Sequence, residues 1–218
     1  MYKRQAYILR NCFKDFPIGT VHIVSIDDEL SINNEHLAIS ANGHYFVGAD
    51  NGLFSLLFNN IMPDKIVRLN ISLTTDCLTF SSKNIFVPAA CHLARGGTME
   101  VIGTPIDDFD VKKMELKPIL QTDMIRGSVI YIDSYGNAIT NVMKNEFFQV
   151  KKDRSFMILF GREDDMITTI SEKYSDVRAG EKLAIFGENN YLQIAINKGV
   201  ASQLLGLKIH ETIRIEYK

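Results

Sequence analysis

Long apolar runs are missing from this chain: none approaches the ~20 residues that span a bilayer, and no charged-then-apolar leader opens it. An excess of positive charge is missing too. With 24 Lys and Arg against 26 Asp and Glu, the net charge of -2 gives no general attraction to nucleic-acid or membrane phosphates. Cysteine is scarce: Cys12, Cys77 and Cys91 are an odd number without metal-ligand spacing, which predicts buried, reduced thiols in a cytoplasmic protein and no disulfide framework. Signature motifs are lacking as well. There is no Gly-x-Gly-x-x-Gly after a strand, no Walker loop, no Cys-x-x-Cys, no His-Glu-x-x-His and no Gly-x-Ser-x-Gly elbow. Nucleotide-dehydrogenase, phosphoryl-transfer and zinc-hydrolase readings therefore lack their signals. Internal repeats and low-complexity tracts do not occur either.

What is present is a 218-residue chain with 46% hydrophobic residues, enough for one sizeable core or two small ones. Its most informative stretch is 128–141. Val129, Ile130, Tyr131 and Ile132 read as a buried strand that ends at Asp133. Gly136 and Asn137 supply turn chemistry, and a second strand starts at Ala138. The intervening loop carries a carboxylate (Asp133), a ring (Tyr135) and a carboxamide (Asn137). These groups suit a flat heteroaromatic ligand bearing a cationic group: a face to stack on, an amide for ring nitrogens and an acid for an ammonium. The same residues also make an ordinary hairpin loop, so the stretch alone leaves both readings open.

Upstream, apolar residues at helical spacing predict a helix over 5–15, stopped by Pro17 and Gly19. A strand over 20–26 runs into Asp27-Asp28-Glu29. The carboxyl end of a strand in an α/β sheet is where ligands bind, although three acids in a row also make a solvated loop. Strands over 36–41 and 45–48 flank Asn42-Gly43, the strongest hairpin signal in the chain. Asp50 is placed to cap a short helix over 53–58, and residues 66–69 form another strand. Residues 79–84, rich in hydroxyls, lead into a helix over 85–95 closed by Gly96 and Gly97. Their hydroxyls and first-turn amides suit an anion or a ribose hydroxyl, or serve as caps. His92, within that helix, reads as a packed or surface residue.

The alternation predicts an α/β N-terminal domain over 1–105 and a linker over 106–126. An all-β, barrel-like C-terminal domain is expected over 127–218. Its strands are expected over 156–160, 167–170, 182–186, 191–196 and 212–217, with a short helix or turn over 200–205.

Taken in order, Phe16-Pro17-Ile18-Gly19-Thr20-Val21-His22-Ile23-Val24, Asp50-Asn51-Gly52, Thr79-Phe80 with Ile85-Phe86-Val87-Pro88-Ala89-Ala90, the loop at Asp133, and Leu204-Leu205-Gly206-Leu207 form a specific combination. Together they resemble the S-adenosylmethionine hydroxide adenosyltransferase family, relatives of the fluorinase and chlorinase, over residues 6 to about 215. The resemblance implies an α/β domain followed by a β-barrel, and a homotrimer with substrate between the N-domain of one subunit and the C-domain of its neighbour. It further implies S-adenosylmethionine as substrate with no cofactor or metal, its methionine replaced on the ribose 5′ carbon by hydroxide or halide.

By the same resemblance, Asp133 meets the methionine ammonium, Tyr135 and Tyr174 cover the adenine faces, and Asn137 bonds the adenine edge. Asn197 and Lys198 fall where backbone groups approach adenine, Asp27 acts on the attacking water, and Ser82 stands where the fluorinase holds halide. Departures from the family pattern are clear. Its Asp-Pro-Gly-Val-Gly is Asp27-Asp28-Glu29-Leu30-Ser31 here, its arginine falls near Asn34 or Glu35, and its Phe-His-Gly-Arg-Asp is Phe80-Ser81-Ser82-Lys83-Asn84. A non-catalytic adenosine or S-adenosylmethionine binder, and a halide adenosyltransferase, therefore stand beside hydrolysis as alternatives. With GTG taken as the start codon, GTG-TAT-AAG-AGA-CAG encodes Met1-Tyr2-Lys3-Arg4-Gln5, and that string is like a transposon-derived sequencing adapter. The family's first strand, with its aspartates, is accordingly expected to precede this sequence in the intact gene.

Overall fold

The computed structural model describes residues 2–29, 31, 34–58, 61–72, 80–109, 117–161 and 166–218. The chain forms two compact units, Met1–Met114 and Glu115–Lys218. Among the described residues, no helix is long and apolar enough to cross a membrane.

In the first unit, helix α1 (Tyr2–Cys12) starts earlier than its apolar spacing predicts and tightens into a 3-10 turn at Phe13–Asp15. Strands β1 (Val21–Val24), β2 (His36–Ala41) and β3 (His44–Ala49) follow, then helix α2 (Leu53–Leu57) and strand β4 (Lys65–Leu69). A π-helical turn at Ser82–Phe86 leads into α3 (Val87–Ala94), and α4 (Met99–Ile102) runs into β5 (Gly103–Pro105). The sheet order is β1-β3-β2-β4-β5, with β1 parallel to β3 and the other pairs antiparallel.

Both faces of the central strands are covered, which is why β2 and β3 read as nearly continuous apolar runs. Ala38, Val47 and Val67 pack against Phe86, Ala89, Leu93, Met99 and Ile102 on one side. On the other, Phe46 meets the edges of Phe13 and Phe58. The β2–β3 connection is the two-residue Asn42-Gly43 turn, with φ of 51° and 76°, the doubly left-handed backbone that Asn-Gly favours in hairpins.

The second unit holds β6 (Ile119–Leu120), β7 (Met124–Ile132), β8 (Ala138–Met143), helix α5 (Lys144–Lys151), β9 (Phe156–Leu159), β10 (Met166–Ile167), β11 (Ile170–Ser171), β12 (Lys182–Phe186), β13 (Tyr191–Ile196), helix α6 (Ala201–Leu204) and β14 (Thr212–Tyr217). Strand order is β10-β9-β14-β7-β8-β13-β12-β11, with β6 also on β7. β10 comes against β12, so the sheet curls nearly back on itself. β7 makes this possible: residues 124–128 pair with β14, residues 129–132 pair with β8, and a bulge between Val129 and Tyr131 bends the strand.

Three local expectations change. The strand expected over 167–170 is two short pieces, β10 and β11, on opposite ends of the sheet. The barrel-like unit is not purely β: α5 closes one end of its core through the fully buried Phe147, which packs against Phe156, Phe186 and Tyr217. Cys91 is exposed and Cys12 half-buried, because both sit on outward parts of their helices. Cys77 and Thr79 lie outside the described residues.

Candidate functional site

The five residues 133–137 join β7 to β8, and the Asp133 side chain organises them. Its Oδ1 accepts the backbone N–H of Tyr135 at 2.9 Å and of Asn137 at 2.8 Å. Its Oδ2 accepts Asn137 Nδ2 at 2.9 Å. The backbone closes the loop with Asp133 N–H to Asn137 O and Gly136 N–H to Asp133 O, both 3.1 Å. Gly136 sits at φ +82°, and a Cβ there would run into Val200. The loop is tied across to the chain after β13 by Ser202 N–H donating to Gly136 O at 2.8 Å.

Between these two segments lies a cavity of about 670 Å³ lined by Asp133, Tyr135, Asn137, Tyr174, Lys198 and Val200, among others. That volume suits a nucleoside-sized ligand. Tyr135 is 78% exposed and Tyr174 43%, so their ring faces are free to take up a flat partner. Partial burial, and then the charge of Asp133, raise the Tyr174 pKa above the ordinary phenol value. Tyr174 thus remains a neutral phenol near the Asp133 carboxylate. Lys198, at φ +56°, lines the same cavity. Asn197 does not line it: its Nδ2 donates to Val177 O at 2.7 Å, holding the turn that presents Lys198. Sequence reasoning missed the wall formed by Ile196, Gly199 and Val200, whose only signal is apolar residues beside a glycine.

Asp27 and Ser82 belong to the first unit. Asp27 follows β1 in a loop with a left-handed backbone, φ +47°, so an aspartate, which tolerates that region better than most residues, takes the strained position itself. Three side chains hold this loop by its carbonyls: Asn51 Nδ2 to Ile26 O at 2.6 Å, His36 Nε2 to Asp28 O at 3.0 Å, and Asn34 Nδ2 to Asp27 O and Glu29 O at 2.8 and 2.9 Å. Asn34, standing near the family's arginine, is therefore a tether. Asn51 also caps α2, its Oδ1 accepting Leu53 N–H at 3.1 Å. An Asx residue two before the amide reaches it directly, and Asn51 takes this role beside Asp50, the residue to which the sequence pointed. Ser82 is half-buried and opens the π-helical turn, while Ser81 beside it is buried with an unpartnered Oγ. His92 is a packing residue, its Nε2 2.9 Å from Thr98 O just beyond α3. Among the described residues, no three His, Cys, Asp or Glu side chains gather as a metal site.

An α/β unit with an acidic loop at a strand's end, followed by a barrel-like unit with an aromatic and amide-lined cavity, places the protein among two-unit binders of small organic molecules. The chain belongs to the S-adenosylmethionine hydroxide adenosyltransferase family. Residues 2–103 match that family's N-terminal domain and residues 127–214 its C-terminal domain. It is 27% identical to an (R)-S-adenosyl-L-methionine hydrolase of Thermus thermophilus, over 98% of this chain and 82% of that one. To the (R)-S-adenosyl-L-methionine hydrolase of Methanocaldococcus jannaschii it is 26% identical, over 97% and 77%. An uncharacterized conserved protein of Thermotoga maritima superposes with a TM-score of 0.88 at 27% identity, covering 98% of this chain and 83% of its own.

Proposed function

We propose that this protein hydrolyses S-adenosyl-L-methionine to adenosine and L-methionine. The observation that carries the reading is the cavity that gathers Asp133, Tyr135, Asn137, Tyr174 and Lys198 in a chain whose hydrolase relatives align over 97% or more of it. Water attacks the ribose 5′ carbon, the C5′–S bond breaks, and its electron pair returns to sulfur as a neutral thioether. A sulfonium needs no protonation to leave, so positioning and desolvating the water supply most of the rate. Asp27 orients that water and takes its proton toward solvent. Tyr135 and Tyr174 cover the adenine, Asn137 bonds its edge, and the backbone at Lys198, held in place by the turn that Asn197 ties to Val177, approaches it. Asp133 Oδ2 accepts a single hydrogen bond from within the loop and retains a lone pair for the methionine ammonium.

The assembly in this reading is a homotrimer, with ligand held between the first unit of one copy and the second unit of the next. Its support is the family resemblance.

A non-catalytic adenosine or S-adenosylmethionine binder is the second reading, favoured by two observations. Asn34, near the arginine position, spends its amide nitrogen on two loop carbonyls, and Ser81 and Ser82 replace the histidine motif. Incubation with S-adenosylmethionine, with and without chloride, separates these readings when products are followed by chromatography. Adenosine that forms with the wild type and falls at least about a hundredfold in Asp27→Asn, the scale of general-base loss, supports hydrolysis. Ligand binding by calorimetry without product supports the binder, and chloride-dependent 5′-chloro-5′-deoxyadenosine that is lost in Ser82→Ala would make Ser82 part of a halide site.

A further inference from the structure

The Asp133–Asn137 contact does more than close a loop. An ionised carboxylate only accepts hydrogen bonds, so the 2.9 Å approach of Asn137 to Asp133 Oδ2 requires the amide nitrogen, and not its oxygen, to face the acid. The opposite rotamer would set two acceptors against each other at that distance. Asp133 is itself pinned, because its Oδ1 receives the backbone N–H of Tyr135 and of Asn137. Asn137 is 6% exposed and lines the cavity. With one N–H committed, the carboxamide keeps its oxygen and its second N–H for a ligand.

We propose that Asp133 is a positioning residue that locks the Asn137 carboxamide in one orientation and thereby selects a 6-aminopurine over a 6-oxopurine. The proposal rests on the adenosyl reading above. A 6-aminopurine offers an exocyclic N–H donor beside a ring-nitrogen acceptor, which matches a fixed C=O beside N–H. A 6-oxopurine puts a carbonyl oxygen where the donor was, so it faces Asn137 Oδ1 acceptor to acceptor. An unlocked asparagine would rotate about χ2 to suit either base. This one is held by a group that cannot donate.

Asp133→Asn tests the lock. The substitution is nearly isosteric and keeps an Oδ1 for the amides of Tyr135 and Asn137, but replaces Oδ2 by an NH₂ donor. The Asn137 amide then turns its oxygen to residue 133 and its NH₂ to the cavity. Calorimetry with adenosine and inosine reads the outcome. The wild type binds adenosine at least about tenfold tighter than inosine, as expected when a site's hydrogen-bonding groups are mismatched. In Asp133→Asn adenosine weakens, inosine tightens, and the ratio falls at least about tenfold.

Equal binding of the two nucleosides by the wild type overturns the lock, and so does an unchanged ratio in a folded Asp133→Asn. The wild type gives a readout should the variant not fold. In protein labelled with ¹⁵N-asparagine and assigned by Asn137→Ser, one Asn137 side-chain amide proton exchanges slowly. Two fast-exchanging protons would contradict the contact. Adenosine selectivity without S-adenosylmethionine turnover overturns the hydrolase reading alone, whereas binding of neither nucleoside overturns both.

Discussion

Gly136 shows how narrowly the cavity's geometry is set at the scale of one residue. Its φ of +82° is open to glycine at little cost, and the space where a Cβ would stand is filled by Val200. Gly136→Ala therefore strains the backbone and pushes the 133–137 loop away from the wall opposite. We expect a loss of about 1–3 kcal/mol in stability, read by urea denaturation, together with weaker adenosine binding. Unchanged stability and affinity would mean that the two walls move independently, contrary to the Ser202-to-Gly136 tie. Much of this site was legible at residue scale: Asp133, Tyr135 and Asn137 lie within five residues of one another, and turn chemistry announces itself locally. Tyr174 and Lys198, far off in sequence, came only through family resemblance, because a lone tyrosine opening a 3-10 turn carries no local signal.

At the scale of elements, the loop bearing Asp27 depends on contacts that no local pattern encodes. Asn51 reaches from the start of α2 to the carbonyl of Ile26 while accepting the amide of Leu53, so one side chain ties a helix to the end of β1. Asn51→Ala unpairs the buried N–H of Leu53 and the partly buried carbonyl of Ile26, at about 1–3 kcal/mol. Turnover should fall while adenosine binding, assigned to the second unit, is little changed. A variant that lost binding and kept its rate would place Asp27 outside the reaction.

The same distinction between local and distant signals explains which elements the sequence predicted. The Asn42-Gly43 hairpin and strands β12, β13 and β14 fall where expected, since a left-handed turn and period-two alternation are local properties. Helix α5 was not foreseen. Its eight residues carry adjacent phenylalanines, one buried and one exposed, and only the barrel core decides which is which. β7 extends back to Met124, earlier than its apolar run suggests, because Arg126 and Ser128 alternate with buried neighbours opposite β14.

For the whole molecule, two histidines make stability depend on pH. Loss of solvation lowers the pKa of His22, and His44, 3.2 Å away, lowers it further. Loss of solvation also lowers that of His36, against the opposing pull of Asp28. Both rings bind fewer protons folded than unfolded, so stability is present above about pH 6.5 and declines as the pH falls below it. Thermal denaturation should give a lower midpoint at about pH 5.5 than at about pH 7.5, with a smaller difference in His22→Phe. A midpoint that rises on acidification would reverse the sign and refute the account. The proposed homotrimer predicts sedimentation at three times the 24.7 kDa chain mass. A monomer that still turns over S-adenosylmethionine would remove the neighbouring copy from the site.

The measurement that bears most directly on the central claim is S-adenosylmethionine turnover in ¹⁸O-labelled water, with both products analysed by mass spectrometry. Attack of water on the ribose 5′ carbon predicts adenosine carrying one ¹⁸O and methionine carrying none. Adenosine without the label, or no adenosine at all from protein that binds the ligand, would contradict hydrolysis at that carbon.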